Sequence, residues 1–205
     1  ADARAIIGRH GEVNFPPGEQ MIYCNTGFFL LSDLAHRENF PECKLHIFVN
    51  AWDMRPEVRS AIKQRLQRNG KTLFWLYTAG LFEAGRDSLE RVREVTGIAL
   101  RPQPFNCKSG TTLLNTREEL SSQLDQSELA QGGQLEPSYF AIPEDSMVLG
   151  EYTETGLPSF VVARVTEGAP SERWTSVFLG EPMVSPGLFR ALAHEAGRTP
   201  EFRLG

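Results

Sequence analysis

A layered α/β domain is expected from this chain, on three observations. Leu45–Val49 is a short apolar run ending at Asn50, Pro56 to Leu66 places Val58, Ala61, Ile62 and Leu66 at helical spacing, and Thr72–Tyr77 is a second apolar run. Strand, amphipathic helix and strand make a βαβ unit, whose parallel crossover lays helices over a sheet.

The elements follow in order. Ala1–Gln20 is broken by Gly8, Gly11, Pro16, Pro17 and Gly18 and reads as a connecting arm. Residues 1–26 are therefore assigned to an arm, or the remnant of an upstream region, and 27–205 to the domain. Met21–Tyr23 suits a short strand. Pro56 fits the first turn of the helix that follows the Leu45–Val49 strand, and Gly70 stops it. The second strand enters through Asn69-Gly70 and leaves through a tight Thr78-Ala79-Gly80 turn, the kind of bend that lifts one side chain clear of a sheet. Asp87 with Glu90 suggests a capping box, Leu89, Val92 and Val95 a helical stripe, and Gly97 a helix stop, which predicts a second crossover. Thr116–Gly133 is polar and reads as a surface excursion with one helical turn. Strands are expected at Tyr139–Ile142, Phe160–Val165 and Trp174–Leu179, and a last helix at Pro186–Ala196 that buries Leu188, Phe189, Leu192 and Ala196 before Gly197.

Composition narrows the function classes. The chain has 205 residues, 40% hydrophobic and 23% charged, which suits one ordinary globular domain. A net charge of -5 argues against binding a nucleic-acid backbone. No apolar stretch reaches the roughly 18 to 20 residues a membrane span needs. Cys24, Cys43 and Cys107 are an odd, sparse set, so at least one thiol is unpaired, and a reducing, cytoplasmic setting is expected.

Several phrases recur in one order: Leu31-Ser32-Asp33-Leu34, Lys44 to Ala51, Asn69 to Gly80, Val95-Thr96-Gly97-Ile98, Val148-Leu149-Gly150, Thr155-Gly156, Trp174-Thr175-Ser176-Val177, and Leu188 to Ala193 before Ala196-Gly197. Over roughly Gly27 to Gly197 they resemble the trimerisation domain of family 42 β-galactosidases, a domain similar to class I glutamine amidotransferases. The resemblance implies a flavodoxin-like, three-layer αβα sandwich with a mostly parallel sheet. It also implies a homo-oligomer, with a trimer as one form, or association with an upstream catalytic module, and a carbohydrate as a candidate ligand. The galactosidase barrel needs about 250 residues, more than the whole chain, so no glycosidase acid or nucleophile is transferred to any residue here.

Active amidotransferase relatives carry a cysteine at the strand-to-helix elbow and a histidine after a late strand, because a thiolate needs a nearby base. Here Thr78 aligns with the elbow and Gly180 with the histidine. The resemblance thus implies no catalytic residue and a non-catalytic role in subunit assembly or as accessory to a carbohydrate-active protein. The rival readings are a divergent hydrolase using Thr78 or a remote cysteine (Cys24 or Cys107), and a small-ligand or sugar sensor. A sensor site would lie at Asn50, Trp52, Thr78 and Gly80, where open α/β sheets place their crevice.

Residue chemistry gives the other polar side chains local roles. His194 and Glu195 are adjacent on a helix and diverge by about 100°, which reads as a surface pair, and Thr78 is expected to hydrogen-bond its own turn. Cys24, His36, Cys43 and His46 have ligand-type side chains, but their spacing does not match zinc hairpins, so no metal and no cofactor is assigned. Glu83, Asp87, Glu151 and Glu154 are the carboxylates nearest strand ends. Trp75 and Trp174 read as core, whereas Trp52, Phe82 and Pro182–Phe189 are the expected interface.

Overall fold

The computed structural model describes residues 30–197 apart from 109, 130–132 and 183. The arm 1–26, the expected Met21–Tyr23 strand and Cys24 lie outside them.

α1 (Leu31–His36) opens the described chain, with the Asp33 carboxylate accepting the Leu30 amide at 2.9 Å. It is followed by β1 (Leu45–Phe48) and α2 (Pro56–Ala61), which runs on through a π-helical turn at Ile62–Leu66. Pro56 sits in the first turn, and Val58, Ala61, Ile62 and Leu66 are the buried face, as their spacing predicts. The helix stops at Leu66, earlier than expected. Asn69 (φ 57) and Gly70 (φ 66) instead form a left-handed pair that turns the chain into β2 (Lys71–Leu76), buried at every position.

Next comes an unanticipated hairpin, β3 (Phe82–Glu83) and β4 (Arg86–Asp87), closed by Ala84 and Gly85, both at positive φ. α3 (Leu89–Thr96) is capped by Ser88 rather than Asp87, because the Ser88 hydroxyl accepts the Arg91 amide. It ends on Gly97 (φ 73) as predicted. The second crossover is not formed. α3 feeds β5 (Ala99–Pro102), which pairs antiparallel with β9 (Tyr139–Ile142) outside the main sheet.

Between them lie β6 (Cys107–Lys108), β7 (Thr111–Leu113), α4 (Glu119–Ser122), a 3-10 turn at Gln126–Leu129 and β8 (Gln134–Leu135). Cys107, one of the two thiols considered for a remote nucleophile, lies in β6. Within the polar 116–133 stretch, Leu120 and Leu129 are buried in the core. β10 (Met147–Tyr152), β11 (Pro158–Val165), β12 (Trp174–Leu179) and α5 (Pro186–Glu195) complete the described residues. α5 buries Leu188, Ala191 and Leu192, while Phe189 is only half-buried.

The six-stranded sheet has the order β1-β2-β12-β11-β10-β7. Parallel pairing, expected for most of it, is confined to β1 with β2 and β2 with β12; the β12-β11, β11-β10 and β10-β7 pairs are antiparallel. The sheet is therefore mixed. Its apolar residues alternate between two clusters. Leu73, Trp75, Val161 and Phe178 pack with α2 and α3, and Phe74, Leu76, Val162 and Val177 pack with α5. Trp75 stacks on Phe48 at 4.2 Å and donates its indole N–H to Ser176 Oγ at 2.9 Å, and Ser176 Oγ donates to the Thr96 carbonyl. Among the described residues no helix is long and apolar enough to cross a membrane.

Candidate functional site

The C-terminal ends of β1, β2 and β12 lie side by side, the place where an open α/β sheet presents its crevice. β2 ends in a bend, but the strained residue is Tyr77 (φ 59), one position before Thr78. A bulky residue in this region stores about 1 to 3 kcal/mol. It is held by its surroundings: the Tyr77 amide donates to the Leu179 carbonyl at 2.8 Å, extending the β2-β12 ladder. Its hydroxyl donates to the Pro137 carbonyl, and its ring meets Trp52 and Tyr139 edge-on at 6.0 and 5.8 Å. Burial, with a smaller contribution from Tyr139, pushes the Tyr77 phenol up to about 12, so it stays protonated at neutral pH.

Thr78 is completely buried, and its hydroxyl has no hydrogen-bond partner. The expected turn bond is made by its backbone carbonyl, which accepts the Leu81 amide at 3.2 Å. Among the described residues no base reaches the hydroxyl, and none activates it as a nucleophile. Gly80 (φ 79) donates its amide to the Ala51 carbonyl at 2.8 Å, and a Cβ there would meet Val95 Cγ2 at 3.4 Å. Of the four predicted ligand-binding positions, then, Thr78 and Gly80 are packed inward, while Asn50 (φ 53) and Trp52, 40% exposed, reach solvent.

Gly180 follows β12, at the position where the sequence resemblance places a histidine in active amidotransferases. A Cβ at this position would lie 2.0 Å from the Tyr152 hydroxyl oxygen. That hydroxyl, within reach of the Tyr139 carbonyl at 2.8 Å and the Gly180 carbonyl at 3.1 Å, occupies the room a base would require. The position is closed by packing as well as lacking a side chain.

The next residue, Glu181, was not singled out from sequence. It is 1% exposed, with Oε1 accepting from Thr111 Oγ1 at 2.6 Å and Oε2 unpartnered. Burial raises its carboxyl to about 7, against the opposing hydrogen bonds from Thr111 and Gly110. Its signal in the sequence is only a carboxylate placed directly after a core strand.

The remaining candidates are accounted for by local bonding. Glu83 is ion-paired with Arg59 at 2.9 Å, and Glu154 accepts the Lys108 amide at 2.7 Å. Asp87 is exposed and Glu151 half-buried. Glu195, expected to be a solvated neighbour of His194, is bound to Arg164 at 2.7 Å, while His194 faces Glu119 at 3.3 Å. His46 donates or accepts at the Cys43 carbonyl, 3.1 Å away, and desolvation lowers it to about 4, with Lys71 adding to the shift. Among the described residues, no three His, Cys, Asp or Glu side chains converge to hold a metal. Trp75 and Trp174 are core, as expected.

No family model matches the sequence, and no curated protein matches it. Among solved structures, the chain is similar to a β-galactosidase from Bacillus circulans sp. alkalophilus, with a TM-score of 0.50 at 15% identity over 79% of this chain and 24% of that one. A catalytic mutant of Gan42B, a GH42 β-galactosidase from G. stearothermophilus, aligns with a TM-score of 0.49 at 14% identity over 77% of this chain and 22% of that one. The chain thus spans about a quarter of the length of these structures, and at 15% identity the likeness to the Bacillus circulans enzyme is one of fold.

Proposed function

We propose that this chain is a cytoplasmic, non-catalytic α/β domain, three-layered and amidotransferase-like, that supports subunit assembly or a neighbouring module in a β-galactosidase-like bacterial protein. The observation that carries the reading is the filling of the Gly180 position by the Tyr152 hydroxyl, beside an elbow whose threonine has no base. A catalytic set that is both chemically incomplete and sterically closed is the state of a domain kept for its surface. The exposed aromatics Trp52 and Phe82 are joined through the Phe82 amide on the Trp52 carbonyl at 2.7 Å, and they offer the apolar contacts an interface uses.

Light scattering on the full-length parent tests the assembly role. The expected result is an oligomer that weakens in the Trp52→Ala and Phe82→Ala variants, and a monomeric parent would refute it. Turnover of glutamine or of a nitrophenyl galactoside by the isolated chain, abolished by Thr78→Ala, would refute the non-catalytic part.

A further inference from the structure

The Glu181 side chain makes an unusual reach. β7, which carries its partner Thr111, is separated from β12 in the sheet by β11 and β10, so the carboxyl lies over the ends of two strands to meet that hydroxyl. Thr111 has one proton and commits it to Glu181, so the Ser159 hydroxyl, 2.8 Å away, donates to Thr111 in turn. This chain of bonds ties the segment after β12 to the edge strand of the sheet.

The enclosure suits a neutral acid. β7 and the residue before it contribute Thr111 and the Gly110 amide, β11 contributes Ser159, and β10 contributes Tyr152, whose hydroxyl is engaged with the carbonyls of Tyr139 and Gly180. None of these groups is a cation. Lys108 and Glu154, nearby along the chain, are both exposed and meet each other through the Lys108 amide. An ionised carboxylate with one oxygen unpartnered is costly in such a place, whereas the neutral acid keeps the Thr111 bond and leaves only an uncharged O–H at Oε2 to bury.

We propose that Glu181 is a proton-operated latch: uncharged, it fastens the Gly180–Pro182 stretch after β12 to β7, and on losing its proton it leaves the enclosure and frees that stretch. Burial places the changeover near neutrality. The partner residues are distinct from the Trp52 and Phe82 surface invoked for assembly, while the segment released overlaps the start of the Pro182–Phe189 stretch expected at the interface.

Hydrogen–deuterium exchange at pH 5.5 and 8.5, corrected for the intrinsic rate, reads the latch directly. For a group titrating near 7 the neutral fraction falls about 30-fold across this interval. Protection of the Gly180 and Glu181 amides is expected to fall by up to that factor in the parent sequence and to persist at both pH values in Glu181→Gln. Equal protection at both pH values in the parent sequence, or the same loss in Glu181→Gln, overturns the proposal. If that variant does not fold, carboxyl carbon NMR of the unaltered chain decides: a glutamate titrating near neutrality supports the latch, and all glutamates titrating below pH 5.5 refute it.

Discussion

Adding one methyl group at Gly180 is expected to be among the most damaging small changes in this domain. A Cβ there meets the Tyr152 hydroxyl oxygen at 2.0 Å and its Cζ at 2.9 Å, distances no rotamer adjustment of the new methyl relieves. Tyr152 is 1% exposed and must move. Overpacking of this kind costs about 1 to 3 kcal/mol, and losing the contacts to the Tyr139 and Gly180 carbonyls adds about 1 kcal/mol. Gly180→Ala should therefore lose about 3 kcal/mol. Tyr152→Phe alone should lose about 1 to 2 kcal/mol, since it strips the hydroxyl from buried carbonyls. Because Phe removes the nearer clash, the double variant should be more stable than the sum of the single effects predicts, by about 1 kcal/mol or more. Urea unfolding followed through the buried Trp75 and Trp174 measures all four proteins. Gly180→Ala within about 0.5 kcal/mol of the unaltered chain, a neutral-surface value, or strictly additive effects, would refute the claim that Tyr152 closes this position.

Ser176→Ala should cost about 2 to 4 kcal/mol in the same assay, because it strands both the Trp75 indole N–H and the Thr96 carbonyl in the core. Thr78→Val should be neutral or stabilising by up to about 1 kcal/mol, since it replaces an unpartnered buried hydroxyl with a methyl of similar size; a marked loss of stability would indicate a missing partner. Stability should peak near pH 5.5. The folded-state value of Glu181 is raised to about 7, so stability falls as pH rises from its unfolded value of 4.5 towards 7; His46 is lowered to about 4, so stability falls as pH drops from 6.5 towards 4. Thermal unfolding across pH 4 to 9 measures this, with Glu181→Gln expected to remove the alkaline loss.

The local elements were legible because their determinants are local. The α2 stripe of Val58, Ala61, Ile62 and Leu66 and the Gly97 stop need only helical spacing and a left-handed residue. The direction of strand pairing was not legible, since a buried strand has the same two-residue period whether its neighbour is parallel or antiparallel. The β10-β11 hairpin illustrates this: Gly150 marks its irregular register, and a Cβ there would strike Thr111 Cγ2 at 2.5 Å, a contact between strands that no local pattern announces. In the bend after β2, Gly80 holds a positive φ as its glycine suggests, but the strain at Tyr77 is not legible, because it depends on bracing by Trp52 and Tyr139. Glu181 escaped notice because its burial depends on Thr111, 70 positions earlier in the chain.

The β2-β12 seam has a consequence for how the chain is made. It joins Lys71 to Trp174 and Leu76 to Leu179, in the middle of the sheet. A ribosome delivers β2 long before β12, so the nascent chain holds Phe74 and Trp75 without their neighbour while about a hundred further residues are synthesised, some five to twenty seconds at ordinary rates. During that interval the apolar Leu73–Leu76 run of β2 lacks its β12 cover, and termination before residue 174 leaves a polypeptide unable to finish its sheet.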